Sequence, residues 1–335
     1  MNARSLLNVR DLTVRFPVYG GVLRKRIGAL SALESVSLDV RPGETLGIVG
    51  ESGCGKSTLA RASLGLLRFI APRVEIEGGV DFHANGRSIP VLSMSRRKLR
   101  PYRAHFQMVF QDPFSSLNPR ITVGRTLMEP LDIHFREWTR DRKRKRVFEL
   151  LDRVGIARDA SSRYPHEFSG GQRQRIAFAR ALVTHPRLVV ADEPVSALDV
   201  SIQAQILNLM RDLQNSLGLT YLFIAHDLSV VRHLSGRIAV MYLGRVVERG
   251  DAETVCRDPA HPYTRMLIDS IPRIGPRMER RSAGAVSGET PDLTERPKGC
   301  VFRGRCPIER PECALKPPDL ERRADGRWVA CPYGG

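Results

Sequence analysis

The sequence predicts an α/β fold built around a parallel sheet, and three observations carry that expectation. TLGIV (45–49) is a short apolar run that leads through a glycine-rich loop into STLARASLGLL, which has the texture of a helix. RLVVAD (187–192) and TYLFIAH (220–226) are two further short apolar runs, as expected of parallel strands covered on both faces. Between them, Ile202, Ile206, Leu209, Leu213 and Leu217 recur at helical spacing, which supplies the crossover helix that parallel neighbours require.

The other elements follow in chain order. SVSLDV (35–40) alternates apolar and polar residues like a half-buried strand, and Pro42-Gly43 turns the chain into TLGIV. Residues from about 113 to 186 are helical in pattern, highly charged, and interrupted at Pro130 and Pro165, so they read as a helical insertion between two halves of the sheet domain. Within them RDRKRKR (140–146) continues into VFELLDRV with apolar spacing, which makes the basic run the wet face of a helix. After about residue 256, Pro, Arg and Gly become frequent and helical periodicity fades, as in an extension with little core of its own. The expected division is therefore 1–255 and 256–335.

A chain of 335 residues can bury a full core, and no stretch approaches the roughly 18 uncharged apolar residues of a membrane span. The start, MNARSLLNVRDL, lacks the apolar centre of a signal peptide, so a cytosolic protein with reduced thiols is expected. The net charge of +17 fits nucleic acid, an anionic membrane surface or polyphosphate ligands, and does not choose among them.

GESGCGKST matches G-x-x-x-x-G-K-[ST] in its required strand–loop–helix setting. Here Gly50, Glu51, Ser52, Gly53, Cys54, Gly55, Lys56, Ser57 and Thr58 form a loop whose backbone N–H groups can close around phosphate oxygens, aided by a helix N-terminus. Lys56 can reach the β- and γ-phosphates of ATP, and the Ser57 hydroxyl can ligate Mg²⁺. Cys54 is a small filler, in contrast. RLVVADEP ends an apolar strand in two carboxylates: Asp192 suits the Mg²⁺ shell, and Glu193 can polarise a water for attack on the γ-phosphate. In FSGGQRQRIAFARAL (168–182), Ser169, Gly170 and Gly171 open a helix with Ile176, Ala179 and Leu182 on its apolar face, a second helix start able to bind an anion.

Taken together, the loop, the acidic strand end and FSGGQ just upstream of it resemble the ABC ATPases over the first 250 residues or so. The resemblance implies a P-loop NTPase (RecA-like) core with a helical subdomain, and two nucleotide-binding domains paired head to tail, each signature closing over the partner's ATP. On that pattern Ser169, Gly170, Gly171 and Gln172 contact the opposite site. Gln111 in VFQDP is the glutamine that senses Mg²⁺ and faces the transmembrane partner. Ser196-Ala197-Leu198-Asp199 forms the D-loop, and His226 is the switch histidine near the γ-phosphate. An N-terminal aromatic stacks on adenine, with Phe16 as the candidate and Tyr19 as its rival.

FQDPFSSLNPR (110–120), HPYT (261–264) and GCVFRGRCP with two later cysteines further resemble the oligopeptide/dipeptide branch of ABC importers, over nearly the full chain. That branch implies two permease subunits, a second ATPase subunit that is by family habit a different chain, an extracytoplasmic solute-binding protein, and a peripheral place on the cytoplasmic face of the membrane. No nucleic acid is expected on this reading. The competing reading is a soluble ABC-type ATPase acting on ribosomes or nucleic acid, which the charge allows but which usually carries two nucleotide domains per chain.

Four of the six cysteines, Cys300, Cys306, Cys313 and Cys331, lie near the C-terminus with spacing C-x5-C-x6-C-x17-C. The spacing is wide for a structural zinc site, and prolines after Cys306 and Cys331 suit cluster-binding cysteines as well. Some relatives carry an iron–sulfur cluster at matching positions, so a [4Fe–4S] cluster leads, with zinc or no metal as alternatives. Its role would be structural, stapling a segment poor in apolar residues. Cys256 stands apart as a bystander.

Overall fold

The computed structural model describes residues 5–20, 25–84, 86–112, 116–271 and 296–334, and the chain divides into two compact units. Residues 113–115 of the FQDPFSSLNPR motif, where the expected helical insertion begins, and 272–295 of the expected extension lie outside the described residues.

The first unit comprises Met1–Leu6, Val40–Glu44 and Ser93–Ile224. Its strands Phe106–Val109, Leu188–Asp192 and Thr220–Ala225 run parallel, with Val109 opposite Ala191 and Asp192 opposite Ile224. Every residue of the latter two strands is buried, which accounts for their unbroken apolar runs. The crossover helix Val200–Leu217 buries Ile206, Leu209, Met210 and Leu213 and ends on Gly218 in the left-handed conformation.

Helices Val123–His134, Arg140–Arg153 and Gly170–Leu182 also belong to this unit. Two expectations need correction here. Pro130 does not interrupt a helix but lies inside Val123–His134; it forgoes one backbone bond, while Val123, Thr126, Leu127 and Leu131 are buried and hold the helix. Pro165, by contrast, does start a separate 3₁₀ turn, Pro165–Glu167. The basic run is not wholly a wet face either. Lys143 and Arg146 are buried, the first paired with Asp132 at 2.8 Å, the second donating to the Leu182 carbonyl at 3.0 Å. Long cationic side chains bury their stems when their heads find acceptors.

The second unit comprises Leu7–Asp39, Thr45–Leu92 and Ala225–Gly335. It holds a four-stranded sheet in the order Lys25–Val40, Leu7–Gly20, Glu75–Ala84, Arg87–Pro90. The Glu75–Ala84 strand is antiparallel to both Leu7–Gly20 and Arg87–Pro90, a feature the sequence patterns did not reveal. It also holds Thr45–Val49 parallel to Arg237–Tyr242, which turns through Leu243 and Gly244, both at positive φ, into Arg245–Asp251.

Helical order does not fade at residue 256, as was expected. Ala252–Arg257 and Pro262–Asp269 are helices, and the HPYT motif starts the second: the His261 Nδ1 accepts from the Tyr263 N–H at 3.1 Å, and Pro262 fills the first turn. The cysteine-bearing tail borrows its core. Phe302 is 1% exposed and packs against Tyr242, Tyr263 and His261, while Trp328–Val329 pairs antiparallel with Arg245–Asp251.

Candidate functional site

The Thr45–Val49 strand delivers the chain into the loop 50–58, and helix Lys56–Ser63 starts at Lys56 with Gly55 as its N-cap at φ 102°. Two glycines are required by space, and Gly55 by its φ as well: a β-carbon at Gly50 would collide with the Met241 carbonyl oxygen, and one at Gly55 with that of Ala32. The first amides of the helix lack intrahelical acceptors and form a cradle for an anion. Ser52 and Gly53 are exposed, whereas Ser57 and Thr58 are half-buried. Lys56 is 4% exposed, and its ammonium donates to the Gly50 and Glu51 carbonyls, each at 2.8 Å. Cys54 is buried beside it; burial pushes the thiol pKa up, opposed by the Lys56 charge. Around Glu51 stand two residues that no sequence motif pointed to as loop partners, Tyr263 and Arg305. The Glu51 N–H donates to the Tyr263 hydroxyl at 2.9 Å, and Arg305 grips the Glu51 carboxylate with two bonds of 3.0 Å.

In the first unit, Asp192 ends its strand at 1% exposure and Glu193 follows at φ 47°, a left-handed conformation that costs a non-glycine residue about 1–3 kcal/mol. Its surroundings hold it there. The Glu193 N–H donates to the Ile224 carbonyl at 2.9 Å, and its own carbonyl accepts from the Ser196 hydroxyl at 3.0 Å. Gln111, one residue beyond exposed Phe110, donates from Nε2 to the Glu193 carboxylate at 3.2 Å. Two residues 82 positions apart in sequence are thereby brought together.

Ser169 caps helix Gly170–Leu182. Its hydroxyl oxygen accepts from the Gln172 N–H at 3.3 Å, and the Gln172 side chain accepts from the Ser169 N–H at 3.0 Å, a complete capping box. The cap uses the hydroxyl as an acceptor, and a serine hydroxyl has a donor besides. A β-carbon at Gly171 would crowd Ile202, whereas one at Gly170 would meet only Leu198 at 3.5 Å. Asp199 caps Val200–Leu217 through the Ile202 N–H at 3.0 Å, a bond that holds its carboxyl below the usual range.

His226, in the second unit, is exposed directly after the Thr220–Ala225 strand, next to Asp227, which caps helix Leu228–Leu234. Phe16 is half-buried on Leu7–Gly20; its rival Tyr19 is 40% exposed, with the Arg73 guanidinium 5.2 Å from its ring centre.

The four tail cysteines are free thiols and half-buried, as is Cys256 in its helix. The Cys300 N–H donates to the Cys313 carbonyl at 2.7 Å. Burial pushes the Cys306 thiol up to about 11, and the nearby Cys331, Cys300 and Cys313 add to the rise; Cys300 is raised by burial, then by Cys313 and Cys331. The thiols thus share one neighbourhood. Among the described residues, however, no group of three or more His, Cys, Asp or Glu side chains is arranged to hold a metal ion. A single zinc gathers its thiolates at about 2.3 Å, whereas an iron–sulfur cluster takes each thiolate on a separate iron and spreads them wider. Four half-buried thiols are a donor set that a zinc ion or an iron–sulfur cluster can take.

A phosphate-type loop on a strand–helix junction, a strand ending in Asp-Glu and a parallel sheet define a P-loop nucleotide-binding ATPase. The family described as ABC transporter matches residues 33–196, and the Oligopeptide/dipeptide transporter, C-terminal region, matches 247–313. The chain is 48% identical to the oligopeptide transport ATP-binding protein AppF of Bacillus subtilis, over 98% of each. It is 46% identical to the oligopeptide transport ATP-binding protein OppF of Escherichia coli, over 94% of this chain and 92% of that one. Among solved structures, CbiO1 of Clostridium perfringens, part of the ABC transporter complex cbiONQ, aligns with TM-score 0.61 and 28% identity over 75% of this chain and 90% of its own. The ATP-binding cassette MJ0796, solved as a dimer bound to ADP and Pi, aligns with TM-score 0.62 and 28% identity over 73% and 98%. The chain belongs to the ABC transporter ATP-binding subunits of the oligopeptide/dipeptide importer family. Such ATPase domains bind ATP with Mg²⁺.

Proposed function

We propose that this chain hydrolyses MgATP to drive import of di- or oligopeptides. The observation that carries the reading is the match to oligopeptide transport ATP-binding proteins over nearly the whole chain, C-terminal region included. The relatives are transport proteins, so the ribosome or nucleic-acid reading is not favoured.

In this reading the amides of loop 50–58 hold the phosphates, and Lys56 exchanges the Gly50 and Glu51 carbonyls for β- and γ-phosphate oxygens. Ser57 and Asp192, with Gln111, hold Mg²⁺, which supplies charge neutralisation on the phosphates. Glu193 orients the attacking water and accepts its proton, with His226 beside the γ-phosphate. The hydrogen bond between Gln111 and Glu193 supports a link between the sensing glutamine and the catalytic carboxylate. Ser169, Gly170, Gly171 and Gln172, together with Asp199, serve the opposite site of a head-to-tail pair, and Phe16 stacks on adenine.

Residues 1–255 form the nucleotide-binding domain with its helical subdomain at about 113–186, and 256–335 the extension. The second ATPase subunit is a different chain, joined by two permeases and an extracytoplasmic solute-binding protein. No helix of the described residues is long and apolar enough to cross a membrane, which suits a peripheral subunit at the cytoplasmic face. The test is ATP hydrolysis by the reconstituted complex: peptide with its binding protein should stimulate it, and a rate indifferent to peptide would overturn the import reading.

The four tail cysteines are proposed to hold a [4Fe–4S] cluster as a structural staple, on the strength of their shared neighbourhood. Anaerobically purified protein should then carry about four irons per chain with matching sulfide. About one zinc, or no metal, would reject the cluster.

A further inference from the structure

We infer that the C-terminal extension sets the geometry of the phosphate loop through Glu51, with Arg305 and Tyr263 as positioning residues for nucleotide binding. This rests on reading loop 50–58 as the ATP site.

Glu51 is held at three points. Its N–H donates to the Tyr263 hydroxyl at 2.9 Å. Its carboxylate takes two bonds from Arg305, Nη1 to Oε2 and Nη2 to Oε1, both 3.0 Å. Its carbonyl accepts from the Lys56 ammonium at 2.8 Å. The first two anchors come from the chain's last third and the third is the lysine that meets phosphate, so Glu51 links the extension to the cation of the site.

The anchors are themselves fixed. Tyr263 is fully buried, its ring 4.5 Å from that of Tyr242 and 5.5 Å from that of Phe302. A tyrosine this deep needs a partner for its hydroxyl, and here the partner is a loop amide. The Arg305 guanidinium also donates to the Tyr242 hydroxyl at 3.1 Å. The Arg305 and Glu51 side chains are only 11% and 23% exposed, so their bidentate pair escapes most of the screening that weakens surface ion pairs.

A fastening that only kept the tail docked could use any acidic residue on the surface. This one grips the loop whose backbone must present its amides at fixed angles, and it does so beside the carbonyl that receives Lys56. Displacing Glu51 therefore moves both the loop and the resting place of the ammonium. Arg305 also directly precedes Cys306, so the anchor sits one residue from the cysteine tail.

The test is equilibrium binding of a fluorescent ATP analogue with Mg²⁺ to the full chain, with thermal unfolding of each variant alongside. Lys56→Ala should abolish binding. Arg305→Met should weaken it about tenfold, within the usual span of coupling between sites. Glu51→Gln should weaken it to a similar degree, and the double variant should bind within about twofold of either single one, because both remove the same link. Tyr263→Phe should cost about threefold, having lost one hydrogen bond. If Arg305→Met fails to fold, Glu51→Gln and Tyr263→Phe carry the same test with Arg305 in place. Binding within about twofold of wild type in the single variants, or a double variant whose loss is the product of the two, would overturn the inference. Normal binding by Lys56→Ala would instead overturn the ATP-site reading, and the inference with it.

Discussion

The phosphate loop and the cysteine tail lie in the same unit and are built on opposite plans. The loop's motif is local in sequence: nine consecutive residues that run from the end of one strand into the first turn of one helix, working through backbone amides and one lysine. The tail is made at a distance. Phe302 leans on Tyr242, Tyr263 and His261, and Trp328–Val329 completes itself on the edge of Arg245–Asp251. A backbone-built site rests on its glycines and on the few side chains that fasten it, Tyr263 and Arg305 at Glu51 among them, whereas a borrowed core depends on a few large apolar contacts.

The largest expected effect on this contrast comes from Phe302→Ala. Removing a ring that is 1% exposed should cost about 3–5 kcal/mol, the range for large core aromatics. Urea unfolding followed with limited proteolysis should show the tail released first. A loss below about 1 kcal/mol would mean that the tail has support other than this ring.

A smaller effect sharpens the same contrast through pH. Burial holds His261 neutral, with its pKa lowered from 6.5 to about 3. The unfolded chain binds a proton below pH 6.5 that the folded chain refuses. Stability from this group is therefore full above pH 6.5 and falls toward pH 3, by up to about 1.4 kcal/mol per pH unit. Glu248, buried with its pKa raised by burial, contributes the opposite slope. His261→Asn keeps a capping oxygen and removes the titration, so comparing the two proteins isolates the histidine. Between pH 7 and 5 the wild type should lose about 2 kcal/mol more than the variant in urea unfolding. Parallel curves would show that His261 takes up its proton without unfolding.

The same contrast explains what the sequence could reveal. The loop, the apolar strands, Asp192 and the Ser169 cap were legible because each is a local pattern whose chemistry lies within a few residues. Local pattern could not report the positive φ of Glu193, which depends on the Ile224 carbonyl and Ser196. It could not see that Pro130 is carried by a buried helical face, or that Arg146 finds acceptors 36 and 37 residues away. The antiparallel sheet of the second unit was missed because the partially exposed halves of Leu7–Gly20 and Lys25–Val40 lack strict alternation. HPYT was legible as a family mark, and its physical work emerged only with the fold: a cap at His261 and an anchor for Glu51 at Tyr263.

The central claim is that Glu193 is the base of a peptide-coupled ATPase, and the reconstituted complex tests it most directly. With this chain carrying Glu193→Gln, MgATP binding at its own site should persist while hydrolysis there slows at least about 100-fold, the lower end for loss of a general base. Near-normal turnover at that site would contradict the account.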